Sequence, residues 1–165
     1  MSDTAKRAAL VHQFEPGRDL DETHELYHDD AVLEFPQSGE RFVGKPSFLT
    51  WRKQYPAAVD YRLRRITGHG DLWVVELNVS YNGSPPMFGV SILCFRGERI
   101  VRESIYVTDG FDPSPARSEW ATSFDRLASV APEAWTDGVP FGIDAAEAAA
   151  TEPGSRSPDA ESVRL

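Results

Sequence analysis

The chain has 165 residues, with 26 acidic against 17 basic side chains, a formal charge of −9 and one cysteine. The length suits one domain and is short for two. The acidic balance argues against nucleic acid as a partner, because phosphate backbones are held by clustered Lys and Arg, and a lone Cys94 excludes both an internal disulfide framework and a thiolate zinc site.

Hydrophobic residues make up 41% of the chain, enough for an ordinary core. No apolar run is long enough to cross a bilayer, and Met1 to Arg7 lacks a signal-peptide core, so a cytoplasmic protein without a membrane partner is expected.

In chain order, Asp3 to Glu15 reads as a helix, with Ala8, Val11 and Phe14 recurring at helical spacing, Asp3 as N-cap and Pro16-Gly17 as its end. Asp19 to His28 reads as a second helix with Asp19 as N-cap and Glu22 at capping-box spacing. Ala31 to Phe35 is a short strand, Pro36 to Gly39 a turn, and Pro46 to Tyr55 a third helix that Pro56 terminates.

Strands follow. Val59 to Thr67 and Leu72 to Tyr81 are joined by Gly68-His69-Gly70-Asp71, and the second carries the clearest alternation in the chain: Trp73, Val75, Leu77 and Val79 against Val74, Glu76, Asn78 and Ser80. Met87 to Arg96 and Arg99 to Thr108 form a long hairpin about Gly97-Glu98, a two-residue loop that suits a type II′ turn because glycine takes φ > 0 without strain. In uninterrupted register Cys94 faces Val101, Ile92 faces Glu103 and Val90 faces Ile105. One face then carries Phe88, Val90, Ile92, Cys94, Val101, Glu103, Ile105 and Val107, and the other exposes Leu93, Phe95, Ile100 and Tyr106. Helices first and an antiparallel meander later indicate an α+β domain with helices packed on one sheet face.

Ala116 to Ala128 is expected to be a last helix, with Trp120, Phe124 and Leu127 on one side. The domain is drawn as 1–130. Residues 131–165 hold seven acidic and two basic side chains among Ala, Pro, Ser and Gly, and read as a disordered tail in which Trp135 and Phe141 are the two residues able to dock.

Glu103 is the carboxylate on an otherwise apolar face, and a buried carboxylate needs a partner, a proton or water. Three arrangements meet that need. Glu103 pairs with an arginine, the run Arg62, Arg64 and Arg65 being the candidate; the register slips and turns it to solvent; or it forms the floor of a pocket as a general acid or base. In the pocket arrangement His24 or Tyr27 is its expected polar company, with His12 on the first helix. Apolar walls of Phe35, Trp51, Tyr55, Val75, Leu77, Phe88, Val90, Ile92, Ile105 and Val107 would hold the substrate and disfavour the charged form. No phosphate loop, dinucleotide fingerprint, nucleophile elbow or spaced histidine pair is present, so no cofactor and no metal are expected.

The stretch Leu26-Tyr27-His28-Asp29-Asp30-Ala31-Val32-Leu33-Glu34-Phe35 after Asp19-Leu20-Asp21, then Gly44-Lys45-Pro46, and the ending Gly97 to Glu103 with Asp109, resemble the nuclear transport factor 2-like superfamily. Within it the SnoaL-like polyketide cyclases and steroid isomerase-like proteins are most similar, over roughly Leu10 to Asp109. The resemblance implies a curved sheet wrapped round helices into a cone with a central apolar pocket, often dimeric through the outer sheet face. It implies cofactor-independent cyclase, isomerase or dehydratase chemistry on an apolar carbonyl compound, or else a non-catalytic ligand-binding or interaction domain of the same fold. The tyrosine and two acids of ketosteroid isomerases align with Val11, Phe35 and Ser91 or Ile92, so that triad is absent. The last-strand carboxylate of the cyclases aligns near Glu103.

Overall fold

The computed structural model describes residues 1–15 and 17–128, all within the unit Met1–Ala131. The expected tail, with Trp135 and Phe141, lies outside the described residues. Three helices, α1 (Asp3–Gln13), α2 (Leu20–His24) and α3 (Lys45–Lys53), accompany six strands: β1 (Tyr27–Phe35), β2 (Glu40–Val43), β3 (Val59–His69), β4 (Leu72–Tyr81), β5 (Met87–Arg96) and β6 (Arg99–Thr108). The strands form one curved, open sheet in the order β2-β1-β6-β5-β4-β3. Every pairing is antiparallel except β1 with β6, which is parallel.

Local chemistry starts and stops these elements. The Ser2 side chain, not Asp3, caps α1 by accepting from the Ala5 N–H. Asp19 caps α2 by accepting from the Asp21 and Glu22 N–H groups. That helix ends at His24 rather than His28, because the chain is drawn into the sheet: the Ile100 N–H donates to the Leu26 carbonyl at 2.8 Å and Tyr27 pairs with Ile100. Tyr27 is therefore a strand residue. Strand β2 shows no strand pattern in the sequence, because three of its four edge residues are exposed and only Phe42 is half-buried. The expected helix over Ala116–Ala128 does not form. A 3-10 turn at Pro115–Arg117 is its regular part, and Trp120 and Phe124 are exposed.

The alternation of β4 places Trp73, Val75, Leu77 and Val79 inward, in one core with Leu10 of α1, Phe14 at that helix's C-cap and Phe48 of α3. The hairpin turns at Gly97, φ 65°, with Arg96 opposite Arg99. Beyond that point the expected register fails. A bulge at Val101 sets Cys94 opposite Arg102, Leu93 opposite Glu103 and Ser91 opposite Ile105. An extra residue in one strand switches every later residue to the other face relative to its partner strand. Gly89, Ser91, Leu93 and Phe95 consequently point inward with Glu103, while Phe88, Val90, Ile92 and Cys94 lie half-buried on the outer face. Leu93, Phe95 and Ile100, expected on an outer dimer surface, are core residues.

Candidate functional site

Strand β6 brings Glu103 to the inner face, where it is 1% exposed, at the floor of a cavity of about 420 Å³. Three donors from three other strands and helices converge on it. The Tyr27 hydroxyl of β1 donates to Oε2 at 2.6 Å, Arg52 Nη2 of α3 donates to the same oxygen at 3.1 Å, and the Ser91 hydroxyl of β5 donates to Oε1 at 2.8 Å. The two oxygens are thus unequal: Oε2 carries a phenol and a guanidinium, Oε1 a single hydroxyl.

Arg52 is held in turn. Its Nη1 lies 3.0 Å from His24 Nε2, and its guanidinium stands over the rings of Phe48 and Tyr27 at 5.5 and 5.8 Å. The tautomer of His24 follows from its partners. Nδ1 is 2.6 Å from the Leu20 carbonyl, which can only accept, so Nδ1 carries the hydrogen. Nε2 faces a guanidinium that can only donate, so Nε2 is the acceptor. The imidazole is neutral, and burial, reinforced by the Arg52 charge, pushes its pKa down to about 4. Burial, reinforced by the charge of Glu103, lifts the Tyr27 phenol above its ordinary range, which keeps it a donor. His24, Tyr27 and Phe48 pack ring on ring with centroids 5.2 to 5.5 Å apart, behind the floor.

The walls are aromatic on one side, where Phe35, Trp51, Tyr55 and Tyr81 contact in series. Leu77, Val79, Ile105 and Val107 form the other side, and Gln13, Glu15, Gly17, Arg18 and Asp60 also border the space. Of the residues expected there, Glu103, Phe35, Trp51, Tyr55, Leu77, Val90, Ile105 and Val107 border the cavity. Val90 does so between Gly89 and Ser91, on a strand that turns its side chain to the other face. Val75 is wholly buried core away from it, and Phe88 and Ile92 face outward, as the Val101 bulge requires. His24 and Tyr27 stand behind Arg52 and Glu103 instead of in the wall. His12 is on the exterior, between Glu15 and Glu22.

The arginine beside Glu103 is Arg52, not one of Arg62, Arg64 or Arg65. Its signal was in the sequence: Arg52 lies one turn after Phe48, so a helix that buries Phe48 aims Arg52 at the same face. Phe35, aligned with one isomerase acid, borders the cavity; of the two positions aligned near the other, Ser91 borders it and Ile92 does not. Among the described residues, no three His, Cys, Asp or Glu side chains are grouped to hold a metal ion, and no helix is long and apolar enough to cross a membrane.

An α+β fold with a curved, open sheet and a buried carboxylate at the base of a cavity defines a class of small pocket-bearing domains. The chain belongs to the SnoaL-like domain family, whose model matches residues 8–103, within the nuclear transport factor 2-like superfamily. It is 37% identical to an NTF2-like protein of unknown function from Burkholderia xenovorans LB400, covering 75% of this chain and 98% of that one with a TM-score of 0.69. The "putative ketosteroid isomerase" of Kribbella flavida DSM 17836 matches at 24% identity over 75% and 93% of the two chains, TM-score 0.66. A "putative SnoaL-like polyketide cyclase" from Shewanella denitrificans OS-217 matches at 15% over 62% and 90%, TM-score 0.53. These last two likenesses show the fold alone. No curated protein matches the chain.

Proposed function

We propose that the protein is a cytoplasmic, cofactor-independent enzyme that does acid–base chemistry on a small apolar carbonyl compound, with Glu103 as the group that moves the proton. The observation that carries this reading is the unequal carboxylate. Oε2 is fixed by Tyr27 and Arg52, while Oε1, with one donor from Ser91, keeps an acceptor position beside the cavity. Oε1 takes a proton from the carbon next to the carbonyl. The C–H electron pair becomes the C=C bond of an enolate, and the carbonyl π pair moves to oxygen. Return of the same proton to another carbon isomerises the compound, and attack of the enolate carbon on a second carbonyl closes a ring. Isomerase and polyketide cyclase are the activities in the names of the Kribbella and Shewanella proteins. Tyr27 orients the carboxylate, and His24 acts through Arg52.

The test begins with native mass spectrometry of the purified protein to identify a small molecule that accompanies it, then turnover of that molecule. Glu103→Gln, which keeps the shape and removes the base, is expected to lower kcat by about 100-fold or more. Unchanged turnover rejects Glu103 as the proton carrier. A second reading, a ligand-binding domain without catalysis, is favoured by the Arg52–Glu103 ion pair. It predicts bound ligand and no turnover in either protein.

The outer sheet face carries a half-exposed strip of Val74, Phe88, Val90 and Ile92 beside exposed Tyr106. We propose that two copies pair there; sedimentation at micromolar concentration giving only monomer rules this out.

A further inference from the structure

Arg52 has more hydrogen-bonding capacity than its neighbours use. A guanidinium offers five N–H groups. One goes to His24 Nε2 and one to Glu103 Oε2, and the Tyr27 hydroxyl is close enough to share a third. At least two are left without an acceptor among the described residues, on a side chain 17% exposed that borders the cavity. Its aromatic and ionic contacts hold the fork in place at the cavity's border before anything enters.

The charge balance of the cavity limits what those donors can take. Arg52 is matched one for one by Glu103 at the floor. Of the remaining charged groups that border the space, Glu15 and Asp60 outnumber Arg18. An anion entering would meet a cation already neutralised and a carboxylate beside it. An uncharged carbonyl oxygen accepts from Arg52 without bringing a second negative charge into poorly solvated surroundings.

We infer that Arg52 is the ligand-binding donor of the cavity and that the Arg52–Glu103 pair selects an uncharged carbonyl compound over a carboxylate of the same size. This rests on the reading of the cavity as a ligand site.

Three probes of one ring system separate the two ideas: naphthalene, 2-acetylnaphthalene and 2-naphthoate, each titrated by calorimetry against the full chain. The wild type should bind 2-acetylnaphthalene about tenfold more tightly than naphthalene, the size of one hydrogen bond from a charged donor, and 2-naphthoate no better than naphthalene. The double variant Arg52→Met/Glu103→Gln strips both charges together, so no lone buried charge is left to unfold the protein. It should bind naphthalene as the wild type does and lose the tenfold preference. Tighter binding of 2-naphthoate than of 2-acetylnaphthalene, or a ketone preference that survives in the double variant, overturns the assignment of Arg52 while leaving the cavity reading standing. Failure of the wild type to bind any of the three overturns both.

Discussion

Arg52 of α3 and Glu103 of β6 meet at 3.1 Å, 51 residues apart in the chain, and form an ion pair whose carboxylate is wholly buried. Neither charge is where a charge is cheap. Each is retained because the other, together with Tyr27, Ser91 and His24, supplies its hydrogen bonds.

That interdependence sets the first prediction. Arg52→Met alone leaves Glu103 buried beside two hydroxyls and no cation, and should destabilise the fold by roughly 3–5 kcal/mol. Adding Glu103→Gln should recover most of the loss, because the stranded charge is gone. Urea unfolding of the two singles and the double gives the coupling energy. Additive losses would mean that the two side chains do not depend on one another.

His24 makes stability depend on pH. Its pKa is held at about 4 in the fold, against about 6.5 in an unfolded chain. Between those values the unfolded state binds a proton that the native state refuses, so stability falls as pH falls from about 6.5 to about 4. The imidazole's share of that loss is at most roughly 3 kcal/mol. His24→Gln, whose amide oxygen can still accept from Arg52, should flatten this part of the urea-midpoint profile. An identical slope in wild type and variant would show that His24 titrates normally.

Lys6 supplies the third prediction. It is 4% exposed on α1, and its Nζ donates to the Gly70 carbonyl at 2.7 Å and to Asp71 Oδ1 at 2.8 Å while lying over the Phe95 ring. The amine thus ties the first helix to the β3–β4 turn. Lys6→Met keeps the stem's packing and removes the charge-assisted bonds, at a cost of about 2 kcal/mol. Asp71 is exposed enough to rehydrate, so no charge is stranded. A thermal midpoint unmoved by Lys6→Met would reduce the contact to packing alone.

Part of this architecture could be read along the chain. The alternation of Trp73, Val75, Leu77 and Val79 gave β4 its inner face, and Gly97-Glu98 gave the hairpin its turn. Glu103 emerged as an inward carboxylate, although through a register that the fold does not adopt. Ile100-Val101-Arg102 contains neither Gly nor Pro, so nothing local announces the bulge that switches Phe88, Val90 and Ile92 outward and brings Ser91 in. Tyr27 was misplaced on a helix for a related reason: its strand state depends on pairing with Ile100, a residue far along the chain.

Sequence alone determined the elements whose periodicity is local, the acidic balance and the presence of one carboxylate among apolar neighbours, since side-chain alternation and turn chemistry act over a few residues. Tertiary structure decided which arginine meets Glu103, which hydroxyls hold it and which histidine stays neutral behind it. Those choices depend on strand register and on how a helix lies across a curved sheet, and both are set by contacts between residues tens of positions apart.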